Sequence, residues 1–247
     1  MVIYFYFIAL FLQINICPFC HCCPYNYRFL TSNRKALNFI YKPPILIRKF
    51  FSDYYWTTSN NKILLTFDDG PTIEATELIL RTLNEFGIKA LFFCVGQNIE
   101  RNSVLAKEIL SQGHSIGNHN YSHKNLLKLS NDEQLIEIKM CNEIMREKLG
   151  IDPVYYRPPY GKYRLSTKKM LNRLKLKNIM WSLLPYDFKN DFELVKSAVD
   201  KNLKSDSIIV LHDNIKSREI IVDSIRYISE QVIKKGYSFG EPAECLK

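Results

Sequence analysis

No aspartate or glutamate occurs between Met1 and Ser52, and no charge of either sign precedes Arg28. The uncharged start leaves Val2 to Ile16 (VIYFYFIALFLQINI) almost wholly apolar. A cleaved leader needs a basic n-region and small residues at the cut. This segment lacks both, which favours an uncleaved anchor over residues 2–20. Its length is marginal against the ~20 apolar residues of a spanning helix, and Gln13, Asn15 and Pro18 weaken its end. Arg28, Arg34, Lys35, Lys42, Arg48 and Lys49 all follow it, so the positive-inside tendency leaves the main domain cytoplasmic. A start codon assigned too early is the competing reading, the next methionine being Met140.

Other absences narrow the function. Net charge is +9 over 247 residues, which suits an anionic partner. No basic stripe with interleaved aromatics occurs after the first segment, which argues against nucleic acid. Cys17, Cys20, Cys22 and Cys23 surround His21, but no second ligand pair lies downstream to complete a structural zinc site. Seven cysteines, an odd number, argue against a disulfide scaffold. There is no internal repeat and no low-complexity tract. What remains is one substantial domain with additions. Residues 1–25 form a hydrophobic, membrane-anchoring candidate, 26–60 a basic lead-in and 61–240 a catalytic region.

From Asn61 onward, short apolar runs alternate with amphipathic stretches. The runs are Ile63–Phe67, Ala90–Val95, Ser115–Asn118, Val154–Tyr156, Ile179–Leu184 and Ser207–His212. Helical spacing appears over Ile73–Phe86, over Asn131–Leu149 with Leu135, Ile136, Ile138, Met140 and Ile144, and over Ser217–Lys235. Such alternation predicts an α/β fold with parallel strands, as a barrel or a doubly wound sheet. In a barrel, functional residues collect after the strands. Asp68, Asp69, His119, Arg157, Asp187 and His212 all lie at or just after a run.

Asp68 and Asp69 stand between the run Ile63-Leu64-Leu65 and the turn signal Gly70-Pro71. Adjacent side chains at a strand end point in different directions, so one acid can bind a metal while the other handles a proton. His119 and His123 are four residues apart, and on one helical turn they would face the same way. Two His and one carboxylate make a three-ligand set that leaves a position for water, the pattern of a catalytic metal. His114 lacks this partner geometry and reads as structural.

These residues resemble the NodB-homology polysaccharide deacetylases, carbohydrate esterase family 4, from about Lys62 to Tyr237. The T-F-D-D-G motif is Thr66 to Gly70; H-[S/T]-x-x-H is met by His119 and His123, with Asn120 in place of Ser or Thr. Arg157-Pro158-Pro159-Tyr160-Gly161 matches the third motif and Val210-Leu211-His212 the fifth. The fourth, D-x-x-D-W, is reduced to Leu184-Pro185-Tyr186-Asp187-Phe188.

The resemblance implies a distorted (β/α) barrel and metal-dependent removal of N-acetyl groups from N-acetylhexosamine units of a polysaccharide, oligosaccharide or glycolipid. It implies Asp69, His119 and His123 as ligands of one divalent ion: zinc, with cobalt or nickel compatible with the same set. By the same carry-over Asp68 is the general base and His212 the general acid, with Arg157 orienting the base and Asp187 keeping His212 charged. Tyr160 supplies an oxyanion N–H, and Pro159, Phe188 and Val210 line the substrate site. The losses at Leu184 and Phe188 predict an altered grip on substrate rather than lost catalysis. Two other functions stay open: a glycan-binding protein that has lost catalysis, and a metal-dependent deacetylase or esterase of a small non-sugar substrate. Family analogy favours a domain facing the cell envelope, in tension with the charge placement.

Overall fold

The structure, a computed structural model, describes residues 41–247, which form one compact unit. The anchor candidate, the Cys17–Cys23 cluster, Arg28, Arg34 and Lys35 lie outside the described residues. Among the described residues, no helix is long and apolar enough to cross a membrane.

Six parallel strands form one sheet in the order β5-β4-β3-β2-β1-β6. They are β1 (Leu64–Asp68), β2 (Leu91–Cys94), β3 (Ser115–Asn118), β4 (Tyr155–Tyr156), β5 (Lys177–Asn178) and β6 (Ile208–His212). Parallel neighbours need crossovers. These are supplied mainly by helices α2 (Thr76–Glu85), α3 (Gly96–Arg101), α4 (Ser103–Ser111), α5 (Asn131–Ile144), α6 (Leu165–Arg173) and α7 (Phe192–Asn202). A short helix α1 (Ile45–Phe50) precedes the sheet, and α8 (Ile221–Lys234) and α9 (Pro242–Cys245) follow it. This six-stranded half-barrel is the α/β, distorted (β/α) barrel architecture that the resemblance implies.

The strands are buried on both faces, so they read as continuous apolar runs. Leu65, Phe67, Phe92, Cys94, Ile209 and Leu211 face the helices, in a core shared with Ile79, Leu83, Ile225 and Ile228. Leu64, Leu91, Phe93 and Ile208 face the concave side and meet Ile179, Cys245 and Leu246. Thr66 and Asp68 alternate with Phe67 and share the concave face with Leu64.

The apolar run Ile179–Leu184 is not a strand, contrary to its hydrophobicity. Pairing with β4 ends at Asn178, and the chain then crosses the barrel's open side until Leu183 bridges Ile209 of β6. A run that changes partners cannot keep one ladder. The lead-in fills the resulting seam: Tyr55 bridges Ile179, and Thr57 bridges Ser207. Part of the lead-in thus pairs with residues of the catalytic region.

The helix over Asn131–Ile144, continued by a π turn over Met145–Leu149, also departs from its apolar pattern. Ile136 and Met140 are exposed, whereas Gln134, Glu137 and Asn142 are buried beside Ile138 and Cys141. The helix turns polar residues inward because they hold the end of β3 and the loop that follows.

Candidate active site

Strand register gathers the chemistry at one end of the sheet. Asp68 pairs with His212 on one side and Phe93 on the other, Cys94 pairs with Asn118, and Asn118 with Tyr156. The residues that follow these strand ends, Asp69, His119 and Arg157, therefore emerge at one level.

Asp68 turns inward. Its Oδ1 accepts from Arg157 Nη1 at 2.7 Å, and its Oδ2 lies 3.9 Å from His119 Nε2. Arg157 is fully buried inside the barrel, and its guanidinium makes four hydrogen bonds. Nε donates to Ile179 O at 2.8 Å, Nη2 to Met180 O at 2.9 Å and Nη1 also to Thr66 Oγ1 at 2.8 Å. Thr66 Oγ1 in turn donates to Ile209 O at 2.7 Å. The guanidinium lies over the Phe93 ring, 4.2 Å from its centroid, where the ring face favours a cation.

Asp69 turns the other way, on a backbone with φ of 82°. Its Oδ1 is 3.0 Å from His123 Nε2 and 3.6 Å from His119 Nε2, and all three ligand-type atoms lie within 4.8 Å of one another. Burial opposes its charge, but His119 and His123 outweigh that and hold its carboxyl well below the usual carboxylate range. Asn214 Nδ2 donates to its Oδ2 at 2.6 Å, and Asn98 Nδ2 to its carbonyl at 2.7 Å. Gly70 next to it admits no side chain, because a Cβ there would sit 2.1 Å from Asp213 Oδ2. Asp213, buried, accepts from Thr72 and Thr76 hydroxyls at 3.1 and 2.6 Å and so ties the loop after β6 to the loop after β1.

His119 and His123 converge, but not on a helix. β3 ends at Asn118 and the two rings lie on a loop, with Asn120 and His123 in the left-handed region (φ 63° and 55°). Helical spacing was the wrong reason for the right neighbourhood. His119 Nδ1 sits 2.7 Å from the carbonyl of Arg157. A carbonyl only accepts, so Nδ1 carries a proton, and Nε2 is the ring nitrogen that faces Asp69 and is available to a metal. This donor set, two imidazoles with one carboxylate, fits a divalent cation.

His212 completes the cluster. Asp187, fully buried, lies 2.8 Å from its Nδ1 through Oδ1 and accepts its backbone N–H through Oδ2 at 2.7 Å. Burial disfavours the charged ring, but the Asp187 carboxylate overcomes this and raises His212 to about 9. Phe188 stands edge-on to His212, ring centroids 4.7 Å apart. Tyr160 is 61% exposed, with φ of 60°, and its ring lies 4.7 Å from His123. Pro159 is buried in the same turn, and Gly161 packs under Trp181. Val210 is fully buried in β6, on the same face as His212. Asn120, where the motif has Ser or Thr, accepts from Tyr156 Oη at 2.9 Å. His114 lies outside the cluster: it accepts from Ala90 N at 3.2 Å, and burial lowers it to about 4.

Sequence reasoning missed Asn98 and Asn214, which carry no pattern. Their roles come from a fold that brings single loop residues to Asp69.

Residues 56–179 match the sequence profile described as polysaccharide deacetylase. Two Bacillus cereus proteins named peptidoglycan-N-acetylglucosamine deacetylase are similar to the chain. One is 34% identical over 180 residues, covering 72% of this chain and 66% of its own length. The other is 33% identical over 197 residues, covering 78% and 92%. The chain thus spans just under two thirds of one relative and nearly all of the other. Among solved structures, a peptidoglycan N-acetylglucosamine deacetylase superposes with TM-score 0.76 at 31% identity, covering 82% of this chain and 96% of that one. A Bacillus anthracis protein described as a CE4 family pseudoenzyme superposes with TM-score 0.69 at 25% identity, covering 78% and 68%.

Proposed function

Since the chain belongs to the polysaccharide deacetylase family, we propose that it is a metal-dependent hydrolase that removes acetyl from N-acetylglucosamine units of a peptidoglycan-type glycan. The observation that carries this is one cluster in which Asp69, His119 and His123 converge beside an Asp68–Arg157 pair and a His212–Asp187 pair. The names of the Bacillus cereus relatives support the glycan class.

Asp69, His119 and His123 would hold the divalent ion, with zinc the first choice. When bound, such an ion lowers the pKa of water and polarises a carbonyl oxygen. Asp68 accepts the proton of the attacking water at Oδ2, while Arg157 fixes Oδ1. The Tyr160 N–H stabilises charge developing on the acetyl oxygen. His212, kept charged by Asp187, gives its Nε2 proton to the departing sugar nitrogen. A C–O bond forms, the C–N bond breaks, and acetate and a free amine result.

The test is acetate release from N-acetylglucosamine oligomers and from peptidoglycan by the purified protein. Release is expected to stop on chelation and to return with zinc. Chelator-resistant release at the full rate would remove the metal from the reading. The eroded fourth motif and the pseudoenzyme relative motivate a second reading, in which the protein binds glycan without hydrolysing it. Oligomer binding with no acetate under any metal would select it.

The acid role fixes a pH dependence. His212 must be protonated to donate, so turnover is lost as pH rises through its raised value of about 9. Asp187→Asn removes the charge that opposes the burial penalty. The alkaline limb of kcat/KM should move to lower pH by roughly 1–3 units. An unmoved limb would assign that titration to another group.

A further inference from the structure

The loop bearing both histidines is held from one side by a single residue, Glu137 of α5. Its carbonyl accepts from Tyr121 N at 3.1 Å. Its carboxylate accepts from Ser122 N through Oε2 at 2.8 Å and from Ser122 Oγ through Oε1 at 2.6 Å. Lys124 Nζ lies 3.4 Å from the same Oε1. Every residue from Tyr121 to Lys124 other than His123 is thereby bonded to Glu137. The side chain is only 8% exposed, although a buried carboxylate is costly unless paired and hydrogen-bonded. The apolar pattern of its helix would place Ile136 inward, yet Ile136 is 54% exposed and Glu137 takes the inward place.

The loop needs such a hold. It leaves β3 and passes through left-handed backbone at Asn120 and at His123, which disfavours an unsupported loop. His119 is fixed by its own strand end and by the Arg157 carbonyl. Among the described residues no carbonyl holds the His123 ring in this way; its Nε2 faces Asp69, and the ring lies beside exposed Tyr160.

We propose that Glu137 is a positioning residue for the metal loop, fixing Ser122 so that the His123 ring is already directed at Asp69 before a metal arrives. The inference rests on Asp69, His119 and His123 being the metal ligands. Groups that orient ligands without touching the metal typically govern affinity by about 10–100-fold.

The test measures zinc affinity of the full chain by competition with a chromophoric chelator, alongside thermal melts in excess chelator. Glu137→Ala should weaken zinc binding by about 10–100-fold. Glu137→Gln should lie between Ala and wild type, since its amide oxygen still accepts from Ser122 N and its –NH2 can donate to Ser122 Oγ. Ser122→Ala should weaken binding in the same direction and by less. Combining Ser122→Ala with Glu137→Gln should cost less than the sum of the two, because both act through one contact. Activity lost at limiting zinc should return when zinc is added. If Glu137→Ala does not fold, Glu137→Gln and Ser122→Ala decide. Wild-type affinity in both overturns the proposal. Asp69→Asn is the control for the underlying reading: wild-type zinc affinity in that variant sinks the ligand assignment itself, whereas its loss together with unaffected Glu137 variants sinks only the clamp.

Discussion

Asp68→Asn is expected to retain zinc and to turn over about 100- to 10,000-fold more slowly, the usual worth of a positioned general base. Asp69→Asn is expected to lose zinc and activity together. The two acids are sequence neighbours, so any account based on local charge alone treats them alike. Their surroundings do not. Asp68 is committed through Oδ1 to Arg157 inside the barrel, while Asp69 faces both imidazoles. Metal content and single-turnover acetate release on the same preparations decide the matter. Equal metal loss in both variants would mean that Asp68 is a fourth ligand and that the base lies elsewhere.

Arg157→Met carries the largest expected cost in stability. The guanidinium is fully buried and holds Asp68, Thr66 and the carbonyls of Ile179 and Met180 at once. Methionine fills the volume but leaves the Asp68 carboxylate and two carbonyls without their donors. Breaking a buried pair from one side costs about 3–5 kcal/mol, which lowers Tm of a domain of this size by roughly 6–20 °C. Arg157→Lys should rescue little, because an ammonium cannot present a planar fork to four acceptors. A melt within a degree or two of wild type would show that the barrel interior repacks without the fork.

The strand ends were legible because each is an apolar run stopped by a functional residue, as in Leu64–Asp68 and Ile208–His212. Ile179–Leu184 was misread because burial alone does not reveal a change of partner at Asn178. Spacing brought His119 and His123 to notice, but a loop with left-handed residues, not a helical turn, joins them. Glu137 was hidden among Ile136 and Ile138, where a helical pattern assigns the isoleucines to the core. Asn98 and Asn214 gave no signal, since one amide on a loop acquires meaning only from what faces it.

The pairing of Asp68 with His212 has a consequence for synthesis. β6 lies beside β1 although the paired residues Leu64 and Ile208 stand 144 positions apart in the chain (208 − 64). During translation β1, β2 and β3 can assemble, and with them the loop carrying both histidines, while one edge of β1 stays open. The proton donor and the covering strand reach the ribosome exit after the other five strands. That closure is long-range, of the kind that slows assembly, and until it occurs the free edge of β1 is open to other chains. The hydrolytic cluster becomes whole only when that edge disappears.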